Sequence, residues 1–443
     1  MDSSKTRKLK LKVKTKKQEK RNENSIARKS TNKLLEGFIN EYSQSKFKTT
    51  KSLIKESNKI LKKLNKDTMR DKSELKLRYE ALLIIMDLIL KKSYKSNFSD
   101  KFKGYPDYED PLFNTKIFSK NEFNINEIPE RKRLNNIETE LFSKKICDPM
   151  YNKTEEEKKN ITFKLTENQK FLKSFLSPNT PYNSILLFHG TGVGKTCSSI
   201  SIAEQYSEEL KKLNKKVIIL LNPSIEANFV KNIFNIQKII KQTPYYQCTG
   251  SKYLDEIKID LDIFNTKTEE EQKKIQEKIK SKISKIIKGR YEFYGYQKFA
   301  NLIENIQQQI KEKYNESDYI YYFNKELKKR FSNTVMIIDE VHNIKKTTDL
   351  KVLPPLLEKV VQNAINMKLL LLSATPMFDT SEEIFFLINL MLRNDNRSII
   401  NVKDYMNSSG NIIEDKKSDF IRKIQGYISY MRGEDPYRFP KRL

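Results

Sequence analysis

Short, continuous runs of apolar residues that end abruptly at polar or glycine residues are the clearest pattern in the chain. Three of them cover residues 185–188, 334–338 and 368–372. A short apolar run bounded by turn residues is typical of a strand buried on both faces, as in parallel sheets covered by helices. The pattern therefore predicts an α/β fold, with polar loops at the carboxyl ends of the strands.

Helical periodicity marks other segments. Apolar residues recur on one side between residues 31 and 100, and Ile275, Ile279, Ile283 and Ile287 lie four apart on a Lys/Glu background. The second pattern predicts an amphipathic helix. The predicted organisation is a basic disordered arm (1–30), a helical and irregular extension (31–160), a nucleotide-binding lobe (161–395) with a charged helical insertion (268–290), and a helical tail (396–443).

A glycine-rich loop follows the first apolar run. It reads Gly190, Thr191, Gly192, Val193, Gly194, Lys195, Thr196. Gly192 and Gly194 allow positive φ, so backbone N–H groups can point at phosphate oxygens near the start of a helix. Lys195 is expected to reach the β- and γ-phosphates and the Thr196 hydroxyl to ligate Mg²⁺. The alternative is a simple turn between a strand and a helix.

The loop departs from the phosphate-binding motif G-x-x-x-x-G-K-[ST] at one place. His189 stands where the motif has its first glycine.

The second apolar run ends in Asp339-Glu340-Val341-His342. Adjacent carboxylates at the end of a buried strand suit nucleotide hydrolysis: Asp339 would hold Mg²⁺ and Glu340 would activate the attacking water. His342 lies where it can sense the γ-phosphate. A turn followed by a helix N-cap is the alternative.

The third run ends in Ser373-Ala374-Thr375-Pro376. The order GTGVGKT, DEVH, SATP resembles motifs I, II and III of the superfamily 2 helicases and nucleic-acid-dependent ATPases. The resemblance implies a RecA-like lobe, ATP and Mg²⁺ as cofactors, and DNA or RNA as partner. It also implies that Ser373, Ala374 and Thr375 couple the nucleotide to the nucleic acid, with His342 as the contact between the two sites.

The same resemblance assigns weaker positions. Gln169, upstream of the glycine-rich loop, would recognise the adenine edge; a solvent-facing helical glutamine is the alternative. Pro223 and Ser224 follow another apolar run and would contact the nucleic-acid backbone. Aromatic residues within 291–299 occupy the region of motif Ib, where they either stack on bases or pack in the core.

Longer segments narrow the resemblance. Residues 163–165, 168–172, 181–184 and 187–196 are similar to the helicases of large nucleocytoplasmic DNA viruses. That group includes the poxvirus transcription-termination nucleoside triphosphatase and early-transcription-factor small subunit, and histidine at position 189 is tolerated in it. A giant-virus member acting in viral transcription or in DNA or RNA remodelling is implied. Its partner would be a viral RNA polymerase and its location the host cytoplasm, a viral factory or the virion.

Charge and composition exclude other classes. The 85 Lys and Arg against 57 Asp and Glu give a net charge of +28, which favours polyanionic partners such as nucleic acid.

The longest apolar run, Ala81 to Leu90, is too short to span a bilayer, and no apolar core of a secretion signal follows the basic start. The cysteines, Cys147, Cys197 and Cys248, are widely spaced, which predicts a reducing compartment and no disulfide.

The length after the third motif limits the expected activity. Only 67 residues follow Pro376, fewer than a second RecA-like lobe needs, so a single N-terminal lobe is expected, with the second lobe absent or supplied by a partner chain. Such a chain is either part of an ATP-dependent motor or a one-lobed subunit that binds ATP and contacts nucleic acid or polymerase without turnover. DEVH together with SATP disfavours a P-loop kinase or an AAA+ ATPase.

Overall fold

The structure is a computed structural model in which the apolar runs become neighbouring strands of one sheet. It describes residues 102, 104–125, 165–237, 247–250, 252–264, 266–346, 352–377, 380–407 and 409–431. The predicted basic arm (1–30), the helical periodicity between 31 and 100, and the end of the predicted tail beyond residue 431 lie outside the described residues.

The strands and helices alternate along the described chain. The strands are β1 Ser184–His189, β2 Val217–Leu220, β3 Tyr291–Tyr294, β4 Val335–Ile338, β5 Lys368–Ser373 and β6 Ile428–Met431. The helices are α1 Phe113–Phe118, α2 Asn121–Asn124, α3 Glu167–Phe175, α4 Lys195–Ala203, α5 Ser207–Lys212, α6 Pro223–Ile233, α7 Lys252–Asp255, α8 Lys258–Phe264, α9 Glu269–Arg290, α10 Tyr296–Lys313, α11 Glu316–Phe331, α12 Asn343–Lys346, α13 Leu353–Asn363, α14 Glu383–Asn394, α15 Val402–Tyr405 and α16 Glu414–Ile424. Within the part of the chain that the structure describes, none of the helices has the length and apolarity needed to cross a bilayer.

All the strand pairs of this sheet are parallel, in the order β3-β2-β4-β5-β1-β6. Strand β5 lies between β1 and β4, with Ser373 opposite Phe188 and Leu371 opposite Ile338. Helices flank the sheet, so the predicted α/β fold with a RecA-like lobe is confirmed.

The central strands form the core because both of their faces are covered. Leu369 to Leu372 and Ile337 are fully buried. Helix α14 packs on β1 and β5, and α4 packs on β5. Burying one such side chain stabilises the fold by about 1.5–3 kcal/mol relative to leaving it exposed. The same burial explains why these strands are continuous apolar runs rather than alternating ones.

Residues 104–125, which the sequence analysis assigned to an irregular extension, belong to the same core as the lobe. Tyr108 stacks on Tyr427 at 4.5 Å between ring centroids and on Phe113 at 5.6 Å. The Tyr182 hydroxyl donates to the Pro106 carbonyl at 2.9 Å, and the Gln425 amide donates to the Tyr108 carbonyl at 2.7 Å. The predicted boundary near residue 160 therefore does not mark the start of the packed unit.

The segment predicted as a helical tail also differs from expectation. It contains helices α15 and α16, but its last described residues form β6, which extends the sheet beside β1. Strand β6 has four residues and is only half-buried, so it lacks the continuous apolar run that marked the central strands. The expectation of a purely helical tail was wrong.

The expectation of no disulfide was also wrong. A disulfide joins Cys197, in the first turn of α4, to Cys248, across 51 residues of sequence. Sequence spacing could not show this proximity, because it arises when the segment after α6 folds back beside α4.

Reduction of this disulfide should destabilise the lobe. Closing a loop of this length removes conformational entropy from the unfolded chain, worth up to about 4 kcal/mol in the chain-entropy model. Urea unfolding of the protein with and without a thiol reductant measures the difference. The Cys197→Ser/Cys248→Ser variant should have the same stability as the reduced protein, and its stability should not change when reductant is added. A Cys147→Ser variant, which keeps the pair, should respond as wild type does; full alkylation of Cys197 and Cys248 without reductant would contradict the pairing.

Candidate nucleotide-binding site

Three loops leave the same edge of the sheet next to one another. They follow β1, β4 and β5, whose carboxyl ends are neighbours because β5 pairs in parallel with both other strands. Crevices at the carboxyl ends of parallel strands are where open α/β sheets bind ligands. The three sequence motifs therefore meet at one place.

The loop after β1 has the backbone that phosphate binding requires. Gly192 and Gly194 have φ of 80° and 83°, in the left-handed region that favours glycine. Gly194 caps α4, whose first residues are Lys195 and Thr196. A side chain at position 194 would also meet Gln169, since an added Cβ would lie 2.6 Å from its amide nitrogen.

The remaining loop residues differ in exposure. Val193 is buried and anchors the loop, whereas Thr191 and Gly192 are exposed and Gly190 is half-exposed. The exposed backbone at the start of α4 can meet an anion, as helix N-termini do.

Lys195 is a buried cation held by the loop itself. Its ammonium group donates to the carbonyls of His189 at 2.9 Å and Gly190 at 3.1 Å. Burial lowers the pKa of Lys195, while the nearby carboxylates of Glu340 and Asp339 act in the opposite direction. The arrangement places one positive charge among the two carboxylates of the DEVH segment.

The position of His189 in the fold explains why the motif does not need a glycine there. It is the last residue of β1, an extended position that does not require glycine. Its Nε2 forms a 2.9 Å hydrogen bond with the Ser429 hydroxyl of β6, and the Gly190 N–H donates to the Met431 carbonyl. Burial, together with the charge of Lys195, lowers the pKa of His189 to about 4, so the imidazole is neutral at pH 7.

The loop after β4 carries both carboxylates. Asp339 is buried, and desolvation together with the charge of Glu340 raises its pKa to about 6, against the opposing effects of the Glu340 N–H and Lys195. The Asp339 carboxylate accepts the Glu340 backbone N–H at 3.1 Å. Glu340 has φ of 48°, unusual for a residue with a side chain, and its carboxylate is partly exposed.

His342 joins the loop after β4 to the loop after β5. Its Nδ1 lies 2.8 Å from the Ser373 hydroxyl and 3.3 Å from a carboxylate oxygen of Glu340. The Ser373 hydroxyl also accepts the Thr375 backbone N–H at 3.0 Å. Ser373 is fully buried, Ala374 is half-buried and Thr375 is exposed. A continuous chain of polar contacts thus runs from Glu340 to the exposed end of the SATP segment.

Gln169 lies against the glycine-rich loop rather than in solvent. Its side-chain oxygen accepts the Thr166 N–H at 3.0 Å in a capping box, and its amide nitrogen lies 3.4 Å from the Gly194 carbonyl. The assignment to adenine recognition stays a prediction.

Pro223 and Ser224 stand at the exposed start of α6, after β2, where the Asn222 side chain caps the helix. They lie at the same edge of the sheet as the three motifs. Their contact with nucleic acid also stays a prediction.

The aromatic residues of 291–299 pack in the core. Tyr291, Tyr296 and Phe299 are buried, which favours the packing alternative over base stacking. Two residues near the motifs were missed by the sequence analysis as site residues, Tyr296 at the start of α10 and Ser429 on β6. No motif marks Ser429; Tyr296 directly follows the turn after β3, which was the available signal.

The residues present fit a nucleoside triphosphate with a divalent cation. Left-handed glycines let backbone N–H groups face phosphates, Lys195 supplies a positive charge, and Thr196 with Asp339 offers the hydroxyl and carboxylate oxygens that Mg²⁺ prefers.

Comparison with known proteins agrees with this geometry. A family model described as "Type III restriction enzyme, res subunit" matches residues 150–378, just over half of the chain. "Putative ATP-dependent RNA helicase L377" of Acanthamoeba polyphaga mimivirus is 29% identical over 71% of this chain and 26% of its own length. "Putative ATP-dependent RNA helicase R563" of the same virus is 31% identical over 62% of this chain and 42% of its own length.

A third relative comes from another virus. "Putative helicase 087L" of Invertebrate iridescent virus 3 is 28% identical over 60% of this chain and 23% of its own length. The chain spans less than half the length of each of these three relatives.

The buried His189 should make an acid-sensitive contribution to stability. Its pKa is lowered from 6.5 to about 4 in the folded state, so below pH 6.5 the unfolded chain takes up a proton that the folded chain does not. The contribution of His189 should therefore fall by about 2.5 kcal/mol as the pH drops from 7.5 to 4.5, whereas Asp339, whose pKa is raised to about 6, acts in the opposite direction, so the difference between wild type and variant is the quantity to compare. His189→Gln, which keeps a nitrogen near Ser429, should lose that part of the pH dependence in urea unfolding. Ser429→Ala should keep it; equal pH slopes for wild type and His189→Gln would contradict the assignment.

Proposed function

The chain belongs to the family of the type III restriction enzyme res subunit, and we propose that it is the ATP-binding lobe of a nucleic-acid-dependent ATPase or helicase. The observation that carries the proposal is the meeting of Lys195, Asp339 and Glu340 with the His342–Ser373 hydrogen bond at one edge of the sheet. ATP binding alone would need neither Glu340 nor the His342–Ser373 hydrogen bond.

Each residue of the site has a separate role in hydrolysis. Lys195 exchanges the carbonyls of His189 and Gly190 for the β- and γ-phosphates, which the N–H groups of the glycine-rich loop also hold. The Thr196 hydroxyl and the Asp339 carboxylate would hold Mg²⁺, which neutralises charge on the phosphates when it is bound. Glu340 accepts a proton from the attacking water.

Coupling to nucleic acid follows the chain of contacts from Glu340 through His342 to Ser373 and Thr375. Pro223 and Ser224, exposed after β2, would contact the nucleic-acid backbone. The net charge of +28 favours a polyanionic partner. Two of the relatives are named as RNA helicases, which makes RNA the first substrate to test.

A full motor of this class also uses a second RecA-like lobe, whose arginines complete the ATP site. Arginines supplied in this way increase the rate of phosphoryl transfer by about 10³- to 10⁵-fold. The described strands form one sheet, so we propose that such a lobe comes from further sequence or from a partner chain. The similarity to viral helicases supports a role in viral transcription or nucleic-acid remodelling, beside a viral RNA polymerase, in the viral factory or the virion.

Substitution of the DEVH glutamate tests hydrolysis. Glu340→Gln keeps the shape of the side chain but cannot take the proton, so it should retain Mg²⁺-ATP binding and lose turnover by at least about 100-fold. Lys195→Ala should lose ATP binding itself, because it removes the positive charge aimed at the phosphates. Phosphate release is measured with and without single-stranded RNA and single-stranded DNA, and ATP affinity with a fluorescent nucleotide. Glu326→Gln, at a surface ion pair with Lys329, is the matched control.

The assay also tests the runner-up function. A one-lobed subunit that only binds ATP would give wild type and Glu340→Gln the same binding and the same negligible turnover, including after a second lobe is added in trans. Stimulation of wild type but not of Glu340→Gln supports the ATPase. Undiminished ATP affinity in Lys195→Ala would refute the site itself.

A further inference from the structure

Tyr296 connects the turn after β3 to the DEVH loop. It is the first residue of α10, its side chain is buried, and Gly295 before it packs tightly on Pro223. An added Cβ at Gly295 would lie 3.1 Å from a Pro223 ring carbon. The position of Tyr296 is therefore fixed by both the sheet edge and the loop after β2.

The Tyr296 hydroxyl is bonded to the backbone of the two carboxylate residues. It donates a short hydrogen bond to the Asp339 carbonyl and lies 3.3 Å from the Glu340 carbonyl. Burial and the neighbouring carboxylates raise the pKa of Tyr296 well above its usual value, so the hydroxyl keeps its proton as a donor. No motif residue makes this contact.

This contact lies at a residue whose backbone conformation is unfavourable. Glu340 has φ of 48°, and a left-handed conformation is unfavourable for a residue with a side chain. The residues before and after Glu340 are hydrogen-bonded to the two strands that flank β4. The Asp339 N–H donates to the Leu220 carbonyl of β2, and the Val341 N–H donates to the Leu372 carbonyl of β5, both at 2.9 Å. The Glu340 carbonyl accepts the Asn343 N–H at 2.9 Å, so the Asp339 carbonyl is the group of the turn whose donor is the Tyr296 hydroxyl.

We propose that Tyr296 is a positioning residue whose hydroxyl holds the Asp339–Glu340 backbone in the left-handed turn that presents the Glu340 carboxylate beside His342. The proposal rests on the proposed ATPase function for its kinetic consequence and on the backbone geometry for its structural one. Without the hydroxyl, the buried Asp339 carbonyl loses its donor, and the turn becomes free to relax toward an ordinary conformation. Glu340 would then spend less time where it can accept the proton from water.

Tyr296→Phe removes only the hydroxyl and tests the proposal. We expect kcat for ATP to fall about tenfold, as for the loss of one buried hydrogen bond in the reacting state, with KM and nucleotide affinity unchanged within about twofold. Tyr294→Phe is the matched control: its hydroxyl also bonds within the protein, to Glu292 and Arg330, but does not touch the DEVH loop. It should leave kcat unchanged.

Amide hydrogen exchange gives a second measurement that needs no turnover. The peptide covering residues 339–343 should exchange at least about fivefold faster in Tyr296→Phe than in wild type or Tyr294→Phe, while peptides from β1 and β5 exchange at the same rate in all three. Unchanged exchange at 339–343 would overturn the proposal, as would faster exchange throughout the lobe. A rise in KM with kcat unchanged would also overturn it, since it assigns Tyr296 to nucleotide binding. If wild type shows no ATPase activity even after a second lobe is added in trans, the proposed function fails while the exchange result still decides the role of Tyr296.

Discussion

The parallel pairing of β5 with β1 on one side and β4 on the other is the constraint on which the site depends. Because Ser373 lies opposite Phe188 and Leu371 opposite Ile338, the three strands end at one edge and their loops meet. Both faces of β5 are covered, so a slip of one residue in either pair would exchange the side chains that pack on the two faces of the sheet. The contact between His342 and Ser373 exists only in this register.

The same edge gathers charges that are costly to bury. Burial raises the pKa of Asp339 and lowers that of Lys195, so burial disfavours the charged form of each group. Their mutual attraction opposes both shifts, and the carbonyls of His189 and Gly190 give the ammonium group its remaining partners. Lys195 is thus held beside the glycine-rich loop by two backbone carbonyls.

The sequence was sufficient for the parts that depend on local pattern. Continuous apolar runs predicted β1, β4 and β5, and the glycines, Lys195 and the carboxylates predicted which loops would matter. Contacts between distant segments could not be predicted in this way: His189 and Ser429 are 240 residues apart, and Gln425 and Tyr108 are 317 apart. Strand β6, the packing of residues 104–125 and the Cys197–Cys248 disulfide were missed for the same reason.

The motifs do not describe the contacts that hold their residues in place. Ser429 and Tyr296 both hold motif residues from outside the three motifs: the Ser429 hydroxyl of β6 bonds the His189 side chain at the end of β1, and Tyr296 ties the start of α10 to the Asp339–Glu340 turn. Each uses a neutral donor or acceptor inside the core, where an added charge would be costly. A motif therefore predicts which residues would face a nucleotide, while their placement depends on buried polar contacts that only the folded chain brings together. The replacement of the first motif glycine by His189 is consistent with this division, because that position lies in a strand and its side chain serves the sheet edge rather than the phosphates.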